Sequence, residues 1–220
     1  MIITIDGPSG TGKSTVARLL AQRLKFDYLD SGAMYRTLAL QLIEENIDPT
    51  DLESIEKLCE VFSFRSTFEN NHWRFFLGDR EVTKKIRTPK VTELASKIAP
   101  YPFVRKAMSA LQRAHAERNN LICEGRDIGT VIFPDADLKI FLTASPEIRS
   151  ERRYQEMQQK FPNETHDFEK IKSDIIIRDA TDSNRDIAPL RCAEDAYRLD
   201  TSDMSIEEVV DTIIKMVPGA

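Results

Sequence analysis

The chain has 220 residues, 41% hydrophobic and 30% charged, and 31 Lys plus Arg against 36 Asp plus Glu leave a formal net charge of −5. Such a composition belongs to a globular protein with room for one well-buried core and excursions that move against it, and it excludes a disulfide-stapled miniature. No apolar run approaches the roughly 20 residues that cross a bilayer, and the acidic balance disfavours nucleic-acid binding.

Met1-Ile-Ile-Thr-Ile-Asp-Gly7 has neither the basic start nor the long apolar stretch of a secretory leader, so a cytoplasmic location is expected. No heptad or long apolar edge asks for a second copy, and a monomer is expected. Cys59, Cys123 and Cys192 are odd in number and form no CxxC pair, which predicts buried or incidental thiols. His72, His115 and His166 lie far from one another, against a histidine metal cluster.

The β-branched run Ile2 to Asp6 predicts a strand, and Val16, Leu19, Leu20 and Leu24 mark one face of a helix starting at Lys13. A second strand, Phe26 to Leu29, precedes a helix from about Ala33 to Glu45, bounded by Asp48-Pro49. Leu52, Ile55, Leu58 and Cys59 give a further helix over Asp51 to Val61. From Phe62 to Lys85 the period shortens, with turns at Asn70-Asn71 and Gly78-Asp79, which predicts a small antiparallel meander inserted into a helical stretch. Pro89 and Pro102 each open a helix, both expected to lie short of the deep core.

Leu121 to Cys123 and Leu138 to Leu142 are short continuous apolar runs, as in strands buried on both faces of a parallel sheet, and Tyr197 to Leu199 is a weaker fifth strand. Helices over Pro146 to Lys160, Asp167 to Thr181 and Ser205 to Met216 fill the rest, with a polar loop over Gln158 to Thr165. The expected fold is α/β: a five-stranded, mostly parallel sheet of the P-loop NTPase type, flanked by helices. One domain over 1–220 is expected, with the insertion at about 60–88 and a lid at about 152–166.

Gly7-Pro8-Ser9-Gly10-Thr11-Gly12-Lys13-Ser14 satisfies G-x-x-x-x-G-K-[ST] between a predicted strand and a predicted helix. Glycines let backbone N–H groups converge on phosphate oxygens, and the helix contributes its positive end. In this pattern Lys13 reaches the β and γ phosphates of a nucleoside triphosphate and the Ser14 hydroxyl faces Mg²⁺. There is no Asn-Lys-x-Asp segment for reading guanine and no Leu-Ser-Gly-Gly signature of transport ATPases. A small-molecule kinase instead needs several arginines to neutralise two polyanions. Arg36, Arg126, Arg178 and Arg185 follow strand ends or cluster beyond the lid, while Arg149 and Arg152 divide evenly between a phosphate contact and a solvated helix face.

Further segments narrow the acceptor: Asp30-Ser31-Gly32-Ala33-Met34-Tyr35-Arg36, Ile86-Arg87-Thr88, Gly125-Arg126-Asp127-Ile128-Gly129-Thr130-Val131-Ile132-Phe133-Pro134-Asp135-Ala136, and Arg178-Asp179 with Asp182, Asn184 and Arg185. On these segments the chain resembles the bacterial cytidylate kinases, of the nucleoside monophosphate kinase group, nearly end to end. The resemblance implies ATP-dependent phosphorylation of CMP and dCMP by direct in-line transfer, with Mg²⁺. It implies that Gly7 to Ser14 together with Thr15 hold ATP, and that Lys13, Arg126, Arg153, Arg178 and Arg185 stabilise the transfer. It further implies that Arg36, Arg126 and Arg185 hold the acceptor phosphate, that Ser31, Ser96, Arg105 and Asp127 read cytosine, and that Arg178 and Asp182 approach the pentose. Cytosine presents an amino donor beside N3 and O2 acceptors, which suits a carboxylate and a guanidinium. Glu124 stands where the family often has Asp, which leaves open which acid faces Mg²⁺. Two rivals stay open: a kinase of the same fold acting on UMP, dTMP or shikimate, and a non-catalytic nucleotide sensor.

Overall fold

The computed structural model describes residues 1–69, 72–117 and 119–219. Along the chain run β1 (Ile2–Asp6), α1 (Lys13–Leu24), β2 (Asp27–Asp30), α2 (Ser31–Glu44), α3 (Leu52–Val61), β3 (Phe64–Glu69), β4 (His72–Leu77) and β5 (Arg80–Glu81). They are followed by α4 (Pro89–Ile98), α5 (Pro102–Ala116), β6 (Leu121–Gly125), β7 (Leu138–Thr143), α6 (Pro146–Lys160), α7 (Phe168–Asn184), β8 (Tyr197–Asp200) and α8 (Ile206–Ile214). A short 3-10 turn, Lys85–Arg87, and a turn of π-helix, Ile128–Ile132, lie between them. Two compact units divide the chain, Met1–Asp27 with Asn119–Ala220, and Tyr28–Arg118.

The main sheet has the order β2-β6-β1-β7-β8, with β1 parallel to both β6 and β7 and β8 parallel to β7. The expected five strands are therefore present, and a separate three-stranded sheet is antiparallel. Ile3, Ile5, Leu121, Ile122, Cys123 and Leu142 are fully buried, which explains why β6 and β7 read as unbroken apolar runs. The register sets Asp6 level with Gly125 and with Phe141, so β1, β6 and β7 release their following loops at one end of the sheet. In open α/β sheets ligands gather at that carboxyl end. α1 packs on β6 and α8, and α6 packs on α7.

In the second unit, α2 packs on α4 and α3 on α5. The expected meander is an antiparallel sheet of order β3-β4-β5, where Trp73 lies 4.9 Å from Tyr28 and 5.1 Å from Phe68 between ring centroids. The expected Asn70-Asn71 turn lies outside the described residues. Of the three cysteines, Cys59 and Cys123 are buried, whereas Cys192 is exposed.

Two other expectations need correction. α4 and α5 do reach the deep core, because Val91, Ala95 and Ile98 on one, and Val104 and Met108 on the other, recur at helical spacing and turn one face inward. α7 runs on to Asn184 instead of ending near Thr181, so Asp182 stands on a helix.

Because Met108 is completely buried, Met108→Ala should cost about 2–5 kcal/mol of folding stability. Urea denaturation checks this, and a loss no larger than that of an exposed substitution would return α5 to the periphery.

Candidate active site

β1 ends in Asp6 and hands over to the glycine loop at the level end of the sheet. Gly7 has φ +148°, and a Cβ there would overlap the Leu142 carbonyl oxygen, so the loop can pass β7 only without a side chain. Gly12, with φ 87°, stands at the head of α1 and offers no capping side chain, while its carbonyl accepts the Thr15 and Val16 N–H groups at 3.0 Å. The helix thus presents N–H groups and its positive end to the loop interior. Lys13 folds back over this loop, and its Nζ donates to the Pro8 carbonyl at 2.6 Å and to Thr11 Oγ1 at 3.5 Å. Burial, reinforced by the nearby Arg126 charge, pushes the Lys13 ammonium down to about 7. An anion beside it would offset both effects.

Ser14 Oγ donates to Glu124 Oε1, joining the first turn of α1 to the end of β6. A hydroxyl and a carboxylate side by side are hard oxygen donors, and Mg²⁺ is usually held by one or two carboxylates together with phosphates and water. The pair therefore fits Mg²⁺ accompanying a nucleotide, and it makes the longer Glu124 the acid nearest the expected metal ligand Ser14.

Beyond β6 the chain alternates charge. Arg126 Nε donates to Asp182 Oδ2 at 2.7 Å, and Arg185 Nη2 donates to Asp127 Oδ1 at 3.3 Å. Arg185 is further fastened through Nε to the Ala188 carbonyl at 2.5 Å. Burial works against both charges of the first pair. Their mutual attraction prevails, leaving the Asp182 carboxyl below the ordinary carboxylate range and the Arg126 guanidinium still more firmly protonated. Arg178 lies on α7 with Asp182. The structure thus gathers Lys13, Arg126, Asp127, Arg178, Asp182 and Arg185 into one charged system within the first unit.

Arg153 differs: it stands exposed on α6 and pairs with Glu156 at 2.8 Å. Its neighbour Arg152 turns inward, donating to the Thr201 carbonyl at 2.5 Å and hydroxyl at 3.0 Å.

Asp6 is a site residue that sequence reasoning missed. Its carboxylate accepts the N–H groups of Ile128 at 3.0 Å and Gly129 at 2.7 Å, which pins the π-helical turn following Asp127. Burial pushes its carboxyl up to about 6, although those two N–H donors oppose the shift. The available signal was a lone carboxylate ending an apolar strand directly before a phosphate loop.

The second unit carries the other expected residues. Ser31 opens α2, and Asp30 caps that helix by accepting the Ala33 N–H at 2.7 Å while its other oxygen pairs with Arg36 Nη2 at 3.2 Å. Arg36 Nε is buried with no hydrogen-bond partner among the described residues. On α5, Arg105 is buried and donates to the Tyr35 hydroxyl at 3.3 Å, next to Arg36. Ser96 lies on α4, where its hydroxyl donates to the Thr92 carbonyl at 3.2 Å. α2 packs on both α4 and α5, which brings these three helices together within the unit.

A family model described as cytidylate kinase matches residues 3–219. A cytidylate kinase of Thermosipho melanesiensis is 48% identical over 98% of this chain and 95% of its own length. Another, of Carboxydothermus hydrogenoformans, is 43% identical over 99% of this chain and 97% of its own length. Among solved structures, a shikimate kinase of Bacteroides thetaiotaomicron superposes with a TM-score of 0.51 at 12% identity, covering 98% of this chain and 97% of that one, a likeness of fold alone.

The depressed Lys13 value has a thermodynamic consequence. Between about 7 and the unfolded value of 10.5 the unfolded chain holds a proton that the folded chain has released, so this group makes stability climb with pH over that window. Lys13→Met should remove the climb: the variant should gain most over the parent near and below pH 7, with the gain shrinking toward pH 10. Urea midpoints of both proteins across that range test it, and parallel curves would show that Lys13 titrates normally.

Proposed function

The chain belongs to the cytidylate kinase family and phosphorylates CMP and dCMP; we propose that ATP is the donor and that the gathered charges divide the work as follows. The reading is carried by one observation: Lys13, curled over a phosphate loop, shares its buried end of the sheet with the Arg126–Asp182 and Asp127–Arg185 pairs.

The loop N–H groups, the head of α1 and Lys13 bind the ATP phosphates, with Gly7 to Thr15 supplying the cradle. An acceptor phosphate oxygen attacks the γ-phosphorus in line, the bond to the β–γ bridging oxygen breaks, and ADP leaves. A phosphate monoester near neutral pH already carries the nucleophilic charge, so no protein base is required. Arg36, Arg126 and Arg185 hold the acceptor phosphate, and Arg126, Arg178 and Arg185 with Lys13 offset the charge spread over the transferred group. Ser14 and Glu124 would hold Mg²⁺, which when bound would supply further charge neutralisation to the nucleotide phosphates.

Asp127 accepts the cytosine amino group, Arg105 donates to the ring acceptors, and Ser31 and Ser96 take part in reading the base. Uracil would face Asp127 lone pair to lone pair. Arg178 and Asp182 meet the pentose. Arg153, exposed on α6 within the segment at about 152–166, joins the ATP phosphates when that lid closes, while the insertion at about 60–88 closes over the acceptor. Closure keeps water from taking the phosphoryl group. The protein acts as a monomer in the cytoplasm without nucleic-acid partners; no helix among the described residues is long and apolar enough to cross a membrane.

Offering CMP, dCMP, UMP, AMP, dTMP and shikimate singly with ATP and Mg²⁺ should give rapid ADP formation with the first two only. Turnover with another acceptor would retract the cytosine-reading residues, and none at all would favour a nucleotide sensor.

Asp127→Ala should remove about 1.5–3 kcal/mol of the preference for CMP over UMP. An unchanged kcat/KM ratio for the two would take Asp127 out of base reading.

A bisubstrate analogue should slow hydrogen exchange in both the 62–85 and 158–165 segments, and unchanged exchange in both would refute closure.

A further inference from the structure

The peptide groups on both sides of Ser9 are fastened by two side chains that no step above uses. Asp179, on α7, accepts the Ser9 N–H through Oδ1 at 3.1 Å. Arg149, in the first turns of α6, donates from Nη1 to the Ser9 carbonyl at 2.9 Å, and the same Nη1 is ion-paired with Asp179 Oδ2. Arg149 Nε is committed to the Ala144 carbonyl at 3.0 Å, so its guanidinium is held on three protein acceptors. Only 6% of the Arg149 side chain and 18% of the Asp179 side chain is exposed, so this is no solvated surface pair. Gly10 lets α6 come this close, since a Cβ there would lie 3.0 Å from Arg149 Cβ and 3.1 Å from its carbonyl oxygen.

Peptide planarity turns these contacts into a lever. Both peptide bonds flanking Ser9 are trans, so within each rigid plane the C=O and N–H point in opposite directions. With the Ser9 N–H drawn to Asp179, the Pro8 carbonyl of the same plane must face the other way, toward Lys13 Nζ at 2.6 Å and Thr11 Oγ1 at 3.2 Å. With the Ser9 carbonyl drawn to Arg149, the Gly10 N–H is turned away from α6.

We propose that Arg149 and Asp179 are a positioning pair for phosphoryl transfer: through the two peptide planes flanking Ser9 they set where the Lys13 ammonium sits and where the Gly10 N–H points. An ion pair suits the task because one strand of backbone offers a donor and an acceptor side by side, and only a carboxylate beside a guanidinium satisfies both while neutralising itself. Asp179 also precedes Asp182 by one helical turn on α7, so one helix carries both the tether on the phosphate loop and the partner of Arg126.

The inference rests on the kinase reading, and steady-state kinetics with ATP and CMP varied separately keep the two apart: turnover by the parent enzyme tests the reading, and the variants test the pair. Asp179→Ala should raise KM for ATP and lower kcat, reducing kcat/KM for ATP roughly 10- to 100-fold, with KM for CMP unchanged. Asp179→Asn, whose amide oxygen still accepts the Ser9 N–H, should recover much of that loss. Arg149→Met should show the same ATP-only pattern, and the double variant should be no worse than the poorer single one. Circular dichroism and urea midpoints establish folding; should Asp179→Ala fail to fold, Arg149→Met and Asp179→Asn carry the same test. An unchanged kcat/KM for ATP, an equal rise in both KM values, or additive losses would reduce the pair to a staple between α6 and α7.

Discussion

Charge buried at the end of the parallel sheet is the constraint on which the rest of the site depends. Asp6, Lys13, Glu124, Asp127 and Arg149 are each no more than 6% exposed, and no such group can leave water alone without losing several kcal/mol. Each is met: Asp6 by two backbone N–H groups, Lys13 by the Pro8 carbonyl and the Thr11 hydroxyl, Glu124 by the Ser14 hydroxyl, Asp127 by Arg185, and Arg149 by Asp179. Well-packed apolar residues would stabilise the fold as well or better. The arrangement therefore makes sense as machinery for an incoming polyanion rather than as a source of stability.

Topology supplies the crowding. Because β1, β6 and β7 are parallel and in register, the loops after Asp6, Gly125 and Thr143 leave the sheet at one end, and each brings polar residues to it. Apart from Asp6 and Glu124 near their carboxyl ends, the buried strands themselves carry almost no chemistry. They act by holding backbone still, so that a glycine passing the Leu142 carbonyl or a π-helical turn pinned by Asp6 keeps its shape against the repulsion of gathered charges.

Legibility from sequence followed the range of the interaction. The phosphate loop could be read because its requirements lie within eight consecutive residues, flanked by a strand and a helix whose periods are local. The apolar runs of β6 and β7 likewise announced a parallel sheet. The pairings could not be read: Asp182 lies 56 residues from Arg126, Arg185 lies 58 from Asp127, and Asp179 lies 170 from Ser9. No periodicity links such partners, and only the folded register brings them together. The depth of α4 and α5 is hidden from sequence for a related reason, since Val91 and Ile98, or Val104 and Met108, show a face but not what the face will meet.

The arginines also separate into two kinds by how they are fastened. Arg149 spends both Nε and Nη1 on protein acceptors, two of them backbone carbonyls, and Arg152 similarly gives both terminal nitrogens to Thr201. Guanidinium groups so committed shape the backbone. Arg36 is tethered to Asp30 by Nη2 while its buried Nε has no partner among the described residues, an arrangement that costs free energy unless another acceptor completes it. Since the guanidinium fork has five donors, one tethered edge fixes its plane and another can meet a phosphate in a bidentate way. Asp30 gains a second role in this light, because the carboxylate that caps α2 also aims the arginine one and a half turns later. One side chain thus serves as helix cap and as tether for the arginine, and because both contacts fall within six residues they depend on local helical geometry where the longer-range pairs depend on the whole fold.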